Sequence, residues 1–314
     1  MHIATGLMMA FVSRSSSGLV RSAVYQQRSS SSSSSSSRRR FGLAATAVAK
    51  EPQPPRNPIG AASNVLVVGA SRGIGTEFVK QVLGKGASVV ATHRSAAVPA
   101  LLEELKAAHS ERLSTLELDV SDPESIGDAA RNLETRGPPL THIIHNAGVY
   151  GQQVSIAGQA WGSRPAAAPV TRGIMLDVFA TNAVGPLLVA QSFYPLLAAA
   201  GGGDGGAEDS SSSPVIAFLT SKVGSIVDNG SGGAYAYRAS KIALNMIAKS
   251  LSVDLQGKAS VVLLHPGYVR TDMTGGNGLI DVDESVAGML RAIEATDAST
   301  DLRWVDYKAE LIPW

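Results

Sequence analysis

Cysteine is absent from all 314 residues, which removes disulfides, thiolate metal sites and thiol nucleophiles from consideration. No metal site is expected. Acidic residues are absent from the first fifty positions, where seven of the 27 Lys and Arg fall. That segment also carries an unbroken serine run from Ser29 to Ser37, followed by Arg38, Arg39 and Arg40. Such a composition cannot build a core, and an Arg-rich, Ser-rich, acid-poor leader matches an organelle transit peptide. A transmembrane run is missing too, since the apolar stretch Ile3 to Val12 is too short and interrupted to cross a bilayer. Past residue 50, an excess of positive charge is lacking. The formal +1 of the chain leaves 20 basic residues against all 26 acids there, a balance of −6, so nothing electrostatic favours nucleic acid.

What remains is ample for a fold, with 44% hydrophobic residues. Residues 1–58 are expected to be a disordered targeting peptide and linker, the linker being Glu51 to Pro58 with four prolines. The expected destination is a chloroplast or other plastid before a mitochondrion, and the cytoplasm if the segment does not target. Residues 59–314 are expected to be one folded domain.

That domain is organised around Asn64 to Gly75. Val65, Leu66, Val67 and Val68 read as a strand buried on both faces, of the kind found in parallel sheets. Ile74, Phe78, Val79 and Val82 then recur at helical spacing. Between them lie Gly69, Ser71, Arg72, Gly73 and Gly75, spaced Gly-x-x-x-Gly-x-Gly rather than in the commonest dinucleotide fingerprint. A tight turn and a bare helix N-terminus there would let backbone N–H groups approach a phosphate.

A second strand, Ser88 to Thr92, ends at His93 and Arg94, where an NAD-preferring fold commonly places an acid on the ribose. With Arg72 in the glycine loop, Arg94 favours the 2'-phosphate of NADP (NADPH) over NAD. Val98 to His109 has a helical pattern, and Leu113 to Val120 reads as a third strand. Asp119 there either accepts from an adenine, with Val120 packing the ring, or caps the next helix, which Pro123 opens with Ser121 as N-cap. A fourth strand, Thr141 to His145, runs into Asn146, Ala147 and Gly148, small enough to leave room for a cofactor. Tyr150 to Val170 and Ala200 to Ser213 read as surface loops. Arg172 to Leu197 reads as one long helix carrying Asn182, a polar amide that needs a reason.

A fifth strand, Val215 to Leu219, delivers Thr220 and Ser221 to the same sheet edge. In the helix after Gly233, Tyr237 and Lys241 lie four apart and share a face. An ammonium beside a phenol is expected to lower a pKa that begins near 10. Tyr235 is a rival phenol, but four residues on it meets Ala239. Ser260 to His265 is a sixth strand, Thr274 to Ile280 a glycine-rich lid candidate, Val282 to Ala295 a last helix and Leu302 to Tyr307 a seventh strand.

Taken together, Gly69-x-x-x-Gly73-x-Gly75, Asn146-Ala147-Gly148, Asn182, Ser221, Tyr237-x-x-x-Lys241 and Pro266-Gly267 resemble the short-chain dehydrogenase/reductase family. Tyr237 to Asn245 and the Leu-Ile-Pro-Trp ending are similar to its C-factor and sniffer-type carbonyl reductase subgroup. The resemblance implies an α/β fold, a single Rossmann domain whose doubly wound, seven-stranded parallel sheet has helices on both faces and strand order 3-2-1-4-5-6-7. It implies Tyr237 as acid/base, Ser221 as the donor that polarises the carbonyl with Ser225 as fallback, Lys241 on the nicotinamide ribose, and Asn182 holding a water in the proton relay. Pro266, Gly267, Val269 and Thr271 would meet the nicotinamide end. Departures are Val68 for a usual Thr, His145 for a common Asn, and a long interval from Ser221 to Tyr237. The implied partners are a small-molecule carbonyl or alcohol and a second copy of the chain, as homodimer or homotetramer. The competing reading is a non-catalytic NADP-binding module in signalling or assembly.

Overall fold

The computed structural model describes residues 55–151, 170–198, 213–298 and 301–314. The targeting segment and most of the two loops expected at Tyr150 to Val170 and Ala200 to Ser213 lie outside the described residues. Strands β1 (Asn64–Val68), β2 (Ser88–His93), β3 (Leu113–Glu117), β4 (His142–His145), β5 (Val215–Leu219), β6 (Ser260–His265) and β7 (Arg303–Asp306) form one parallel sheet. Their order is β3-β2-β1-β4-β5-β6-β7, the order implied by the resemblance. The helices are α1 (Gly73–Gly84), α2 (Ala100–Ala108), α3 (Pro123–Arg136), α4 (Arg172–Phe179), α5 (Gly185–Ala198), α6 (Tyr235–Asp254) and α7 (Val282–Glu294).

The sheet is apolar on both faces, which explains the unbroken hydrophobic run of β1. Val65 and Val67 pack with Phe78 and Val82 of α1 and Met289 and Ile293 of α7. Leu66 and Val68 pack on the other face with Ile126 of α3, Val189 and Phe193 of α5, and Leu244 of α6. Each large side chain so buried contributes roughly 1.5–3 kcal/mol. Arg172–Leu197 is long and apolar enough to cross a membrane by length and composition, but here Val189, Phe193 and Leu197 are spent on the sheet. Strand order reverses between β1 and β4, so their C-terminal ends open the crevice where such sheets bind ligands.

Local chemistry moves several expected boundaries. Strand β3 stops at Glu117 rather than Val120, because Asp119 Oδ1 accepts from Ser121 N at 2.8 Å and Ser121 Oγ at 2.6 Å, turning the chain. With its hydroxyl so engaged, Ser121 is not the N-cap of α3. Asp122 takes that place, accepting from Glu124 N at 3.0 Å. The end of the proline-rich linker belongs to the folded unit, since Asn57 is buried, donates its N–H to Glu294 O at 3.0 Å and accepts from Ser213 N at 2.7 Å. The long helix is interrupted by a π-helical turn, Ala180–Val184, between α4 and α5.

Two histidines in β4 give the fold a pH dependence. Burial pushes His142 down to about 4 and His145 down to about 3, from an ordinary 6.5. The folded protein therefore binds fewer protons than the unfolded chain between those values, so this stability is complete above about pH 6.5 and is lost on acidification. By linkage, each pH unit across that window removes about 1.4 kcal/mol per histidine. Urea midpoints measured from pH 7 to 4 are expected to fall steeply below about 6.5, and a flat profile would contradict the neutral buried state.

Candidate active site

The glycine loop is shaped by contacts that only glycine permits. Gly69 has φ +81°, and a Cβ on it would lie 2.8 Å from Ala147 Cα. A Cβ on Gly75 would lie 2.0 Å from Gly69 O. Asn146 Nδ2 donates to that same carbonyl at 2.7 Å, while Asn146 N and Ala147 N both donate to Val68 O. Strand β2 braces the turn through Thr92, whose hydroxyl accepts from Gly69 N at 3.0 Å and whose carbonyl accepts from Ala70 N at 2.8 Å. Thr92 was legible only as a strand residue, and its role comes from register. No side chain caps α1, so its first N–H groups suit an anion. Ser71 lies half-buried in this turn.

The residues expected at the adenosine end are dispersed into local pairs. Arg72 Nη1 meets Asp272 Oδ2 at 2.7 Å, both side chains being exposed. Arg94 is exposed and lies close enough to Asp119 to act on its charge. Partial burial pushes the Asp119 carboxyl up, but the Ser121 hydrogen bonds and Arg94 outweigh it and hold it below its usual value. Each arginine thus has an acid near it that the linear sequence did not show. His93 is buried with Nδ1 bonded to Ser95 O at 2.8 Å. Asp119 serves as a local turn cap, and Val120 is buried in the core cluster.

Around the sheet edge the reactive residues converge. Tyr237 lies in the first turn of α6, whose N-cap Ala234 is held at φ +47° and is fully buried. Such a left-handed alanine stores strain of the sort that clusters at functional sites. Ser221 caps a short 3-10 turn, Lys222–Gly224, and is hydrogen-bonded to the phenol of Tyr237. Ser225 instead donates to the carbonyl of Trp314 at 3.3 Å and is not among the residues that line the cavity. The long Ser221 to Tyr237 interval is taken up by that turn and the bend beyond it. Tyr235, the rival phenol, is 39% exposed.

Lys241 is buried, its Nζ donating to Leu219 O at 2.9 Å and lying 5.7 Å from the Tyr237 ring centroid. A Cβ on Gly148 would come within 3.4 Å of that Nζ, so the Asn146-Ala147-Gly148 strand end roofs the lysine. Burial lowers Lys241 to about 8. Burial also pushes Tyr237 up to about 12, against a lowering by the Ser221 hydrogen bond and with a further rise from Tyr150. The expected lowering of the phenol by Lys241 is therefore reversed, because desolvation exceeds any gain from an ammonium directed at a carbonyl.

Asn182 sits in the π turn with its amide fully used. Oδ1 accepts from Val149 N at 2.8 Å, and Nδ2 donates to Val149 O at 2.8 Å and to Ser240 Oγ at 3.0 Å. The reason for a buried amide is thus a clamp on the chain leaving β4. Tyr150 follows Val149, where the sequence predicts the start of a surface loop. Its ring lies 5.0 Å from that of Tyr237, tilted by 50°.

Ser221, Tyr237 and Tyr150 line a cavity of about 330 Å³, with Lys241 and Asn182 buried behind its wall. Ile74, Pro266, Gly267, Val269 and Thr271 line it, as expected for the nicotinamide end. The lid candidate is pinned: Leu279 N donates to Tyr268 O at 2.6 Å, Arg270 N to Ile280 O at 3.0 Å and Gly276 N to Thr271 O at 3.0 Å. Among the described residues, no group of three or more His, Asp or Glu is placed to hold a metal. A dinucleotide fits what is present: a glycine cradle that a Cβ would fill, an uncapped helix start and a buried ammonium under the strand end.

A family model described as short chain dehydrogenase matches residues 63–278. The NADPH-bound carbonyl reductase from chicken fatty liver is 32% identical with a TM-score of 0.70, over 84% of this chain and 100% of that one. Carbonyl reductase Sniffer of D. melanogaster is 30% identical with a TM-score of 0.68, over 80% of this chain and 99% of that one. The C-signal of Myxococcus xanthus is 38% identical over 56% of this chain and 93% of its own length.

Proposed function

The chain belongs to the short-chain dehydrogenase/reductase family, and from that membership we propose an NADP(H)-dependent oxidoreductase that transfers hydride between nicotinamide and a carbonyl or alcohol carbon of a small molecule. The observation that carries this reading is the Ser221 and Tyr237 hydroxyl pair at the cavity wall, with Lys241 buried behind it. The nicotinamide, when bound, supplies the hydride. Ser221 is placed to donate to a carbonyl oxygen and polarise it. Tyr237, whose raised pKa keeps it protonated near neutral pH, is placed to give its proton to the same oxygen, which suits the reducing direction. Lys241 would hold the ribose hydroxyls. The clamp from Asn182 keeps the strand end, and so the roof over Lys241, in place.

Similarity to C-signal favours a second reading, a non-catalytic NADP-binding signalling protein. That reading gives no account of a phenol and a serine hydroxyl meeting at one cavity with an ammonium buried behind them. A panel of aldehydes and ketones with NADPH, read by loss of its absorbance, decides between them. Consumption with at least one supports the enzyme, and none across a broad panel supports the binding module.

Preference for NADPH follows from Arg72 and Arg94. Their present acidic neighbours do not prevent it, since exposed ion pairs are weak and exchange readily. NADPH is expected to bind about 10-fold or more tightly than NADH, with Arg94→Ala narrowing the ratio by about 5-fold to 10-fold. Equal affinities in the unmutated protein, measured by calorimetry, would remove the argument.

A further inference from the structure

We propose that Tyr150 is a specificity-determining residue of this pocket, its ring taking the bulkier side of a carbonyl compound so that one prochiral face is presented to the nicotinamide. The inference rests on the oxidoreductase reading above and deepens it. Three observations converge on this side chain. Its position is fixed at the backbone, because both hydrogen-bonding groups of the preceding Val149 are held by Asn182 at 2.8 Å. Its ring packs on that of Tyr237 at 5.0 Å with a 50° tilt, a favoured arrangement for aromatic pairs that locks both rings. It lines the cavity together with Ser221 and Tyr237.

The walls of the cavity are unequal, and that inequality is what a prochiral substrate meets. Tyr150 packs on Tyr237 beside Ser221, while the other bulky flexible or aromatic lining side chains, Tyr268 and Met273, belong to the chain after β6. The charged lining residues Lys222 and Asp228 pair with each other at 3.2 Å, so they give an uncharged ketone no competing anchor. An aryl or other large apolar substituent therefore gains most against Tyr150. A contact of this kind is commonly worth a factor of about 10 to 200 in discrimination.

The test uses the full chain, NADPH and a prochiral aryl alkyl ketone. Tyr150→Ala is expected to raise KM about 10-fold, to change kcat less, and to move the enantiomeric ratio of the alcohol product several-fold toward one. Tyr150→Leu, which refills the volume without the flat ring, should shift the ratio in the same direction, and thermal melts of both variants check folding. Tyr150→Phe keeps the ring and should keep the ratio. A purely structural prop for Tyr237 would instead lower kcat and leave the ratio where it was. An unchanged enantiomeric ratio in both the Ala and Leu variants overturns the proposal. If the unmutated protein consumes no NADPH with any carbonyl, the oxidoreductase reading falls first, and this inference falls with it.

Discussion

Tyr237→Phe is expected to lower kcat for carbonyl reduction by about 100-fold to 10,000-fold, the range attributed to one acid/base group. The substitution keeps the ring, and with it the packing on Tyr150, and removes only the hydroxyl that meets Ser221. Affinity for NADPH should change by no more than about twofold, because uniform binding does not use that proton. Tyr235→Phe is the internal control, since Tyr235 lies at the exposed start of the same helix and does not line the cavity. A Tyr237→Phe protein that reduces the same substrate at the original rate would make the phenol a bystander.

The second large effect is expected at Lys241, where stability and activity should part company. Lys241→Met keeps an unbranched side chain of similar length and removes the ammonium. Turnover should fall at least about 100-fold and the Kd for NADPH should rise about 10-fold or more, since a charge-assisted hydrogen bond to the ribose is lost. Thermal stability should hold or rise. Burial has pushed this lysine down to about 8, so folding at neutral pH pays a desolvation cost that methionine abolishes, which offsets the lost bond to Leu219 O. As the folded pKa lies below the unfolded one, that cost is full below about pH 8 and disappears as pH rises toward 10.5. The stabilising effect of Lys241→Met should shrink over the same window. A variant that melts well below the parent yet turns over near the original rate would make Lys241 a structural prop.

How much of this was legible in the sequence depends on the distance over which each feature is built. Strand β1 could be read because both of its faces are buried, leaving Val65 to Val68 uninterrupted. The glycines could be read because close approach forbids a Cβ, and Gly75, pressed on Gly69 O, is the sharpest case. Tyr237 and Lys241 could be read because one helical turn is a local ruler. The N-cap of α3 was misplaced by one residue because Asp119, Ser121 and Asp122 all offer suitable oxygens, and only geometry assigns them. Pairing of Arg72 with Asp272 spans 200 positions and left no local trace. The same holds for Asn182 and Val149: the amide stood out as an anomaly, but its partner lies on another strand's exit. Tyr150 has one signal in the sequence, its place just past Asn146-Ala147-Gly148, but the ring it packs against, Tyr237, comes from a distant helix.

The central claim, that this site moves a hydride onto a carbonyl carbon while Tyr237 protonates the oxygen, is tested most directly by isotope. NADPH carrying deuterium at the transferable position of its nicotinamide ring would be mixed with any carbonyl the protein accepts, and the alcohol product examined by mass spectrometry and NMR. The account predicts one deuterium on the carbinol carbon and a solvent-exchangeable proton on oxygen, with the deuterium still on carbon in the slow Tyr237→Phe reaction. Product that carries no deuterium on that carbon would contradict it.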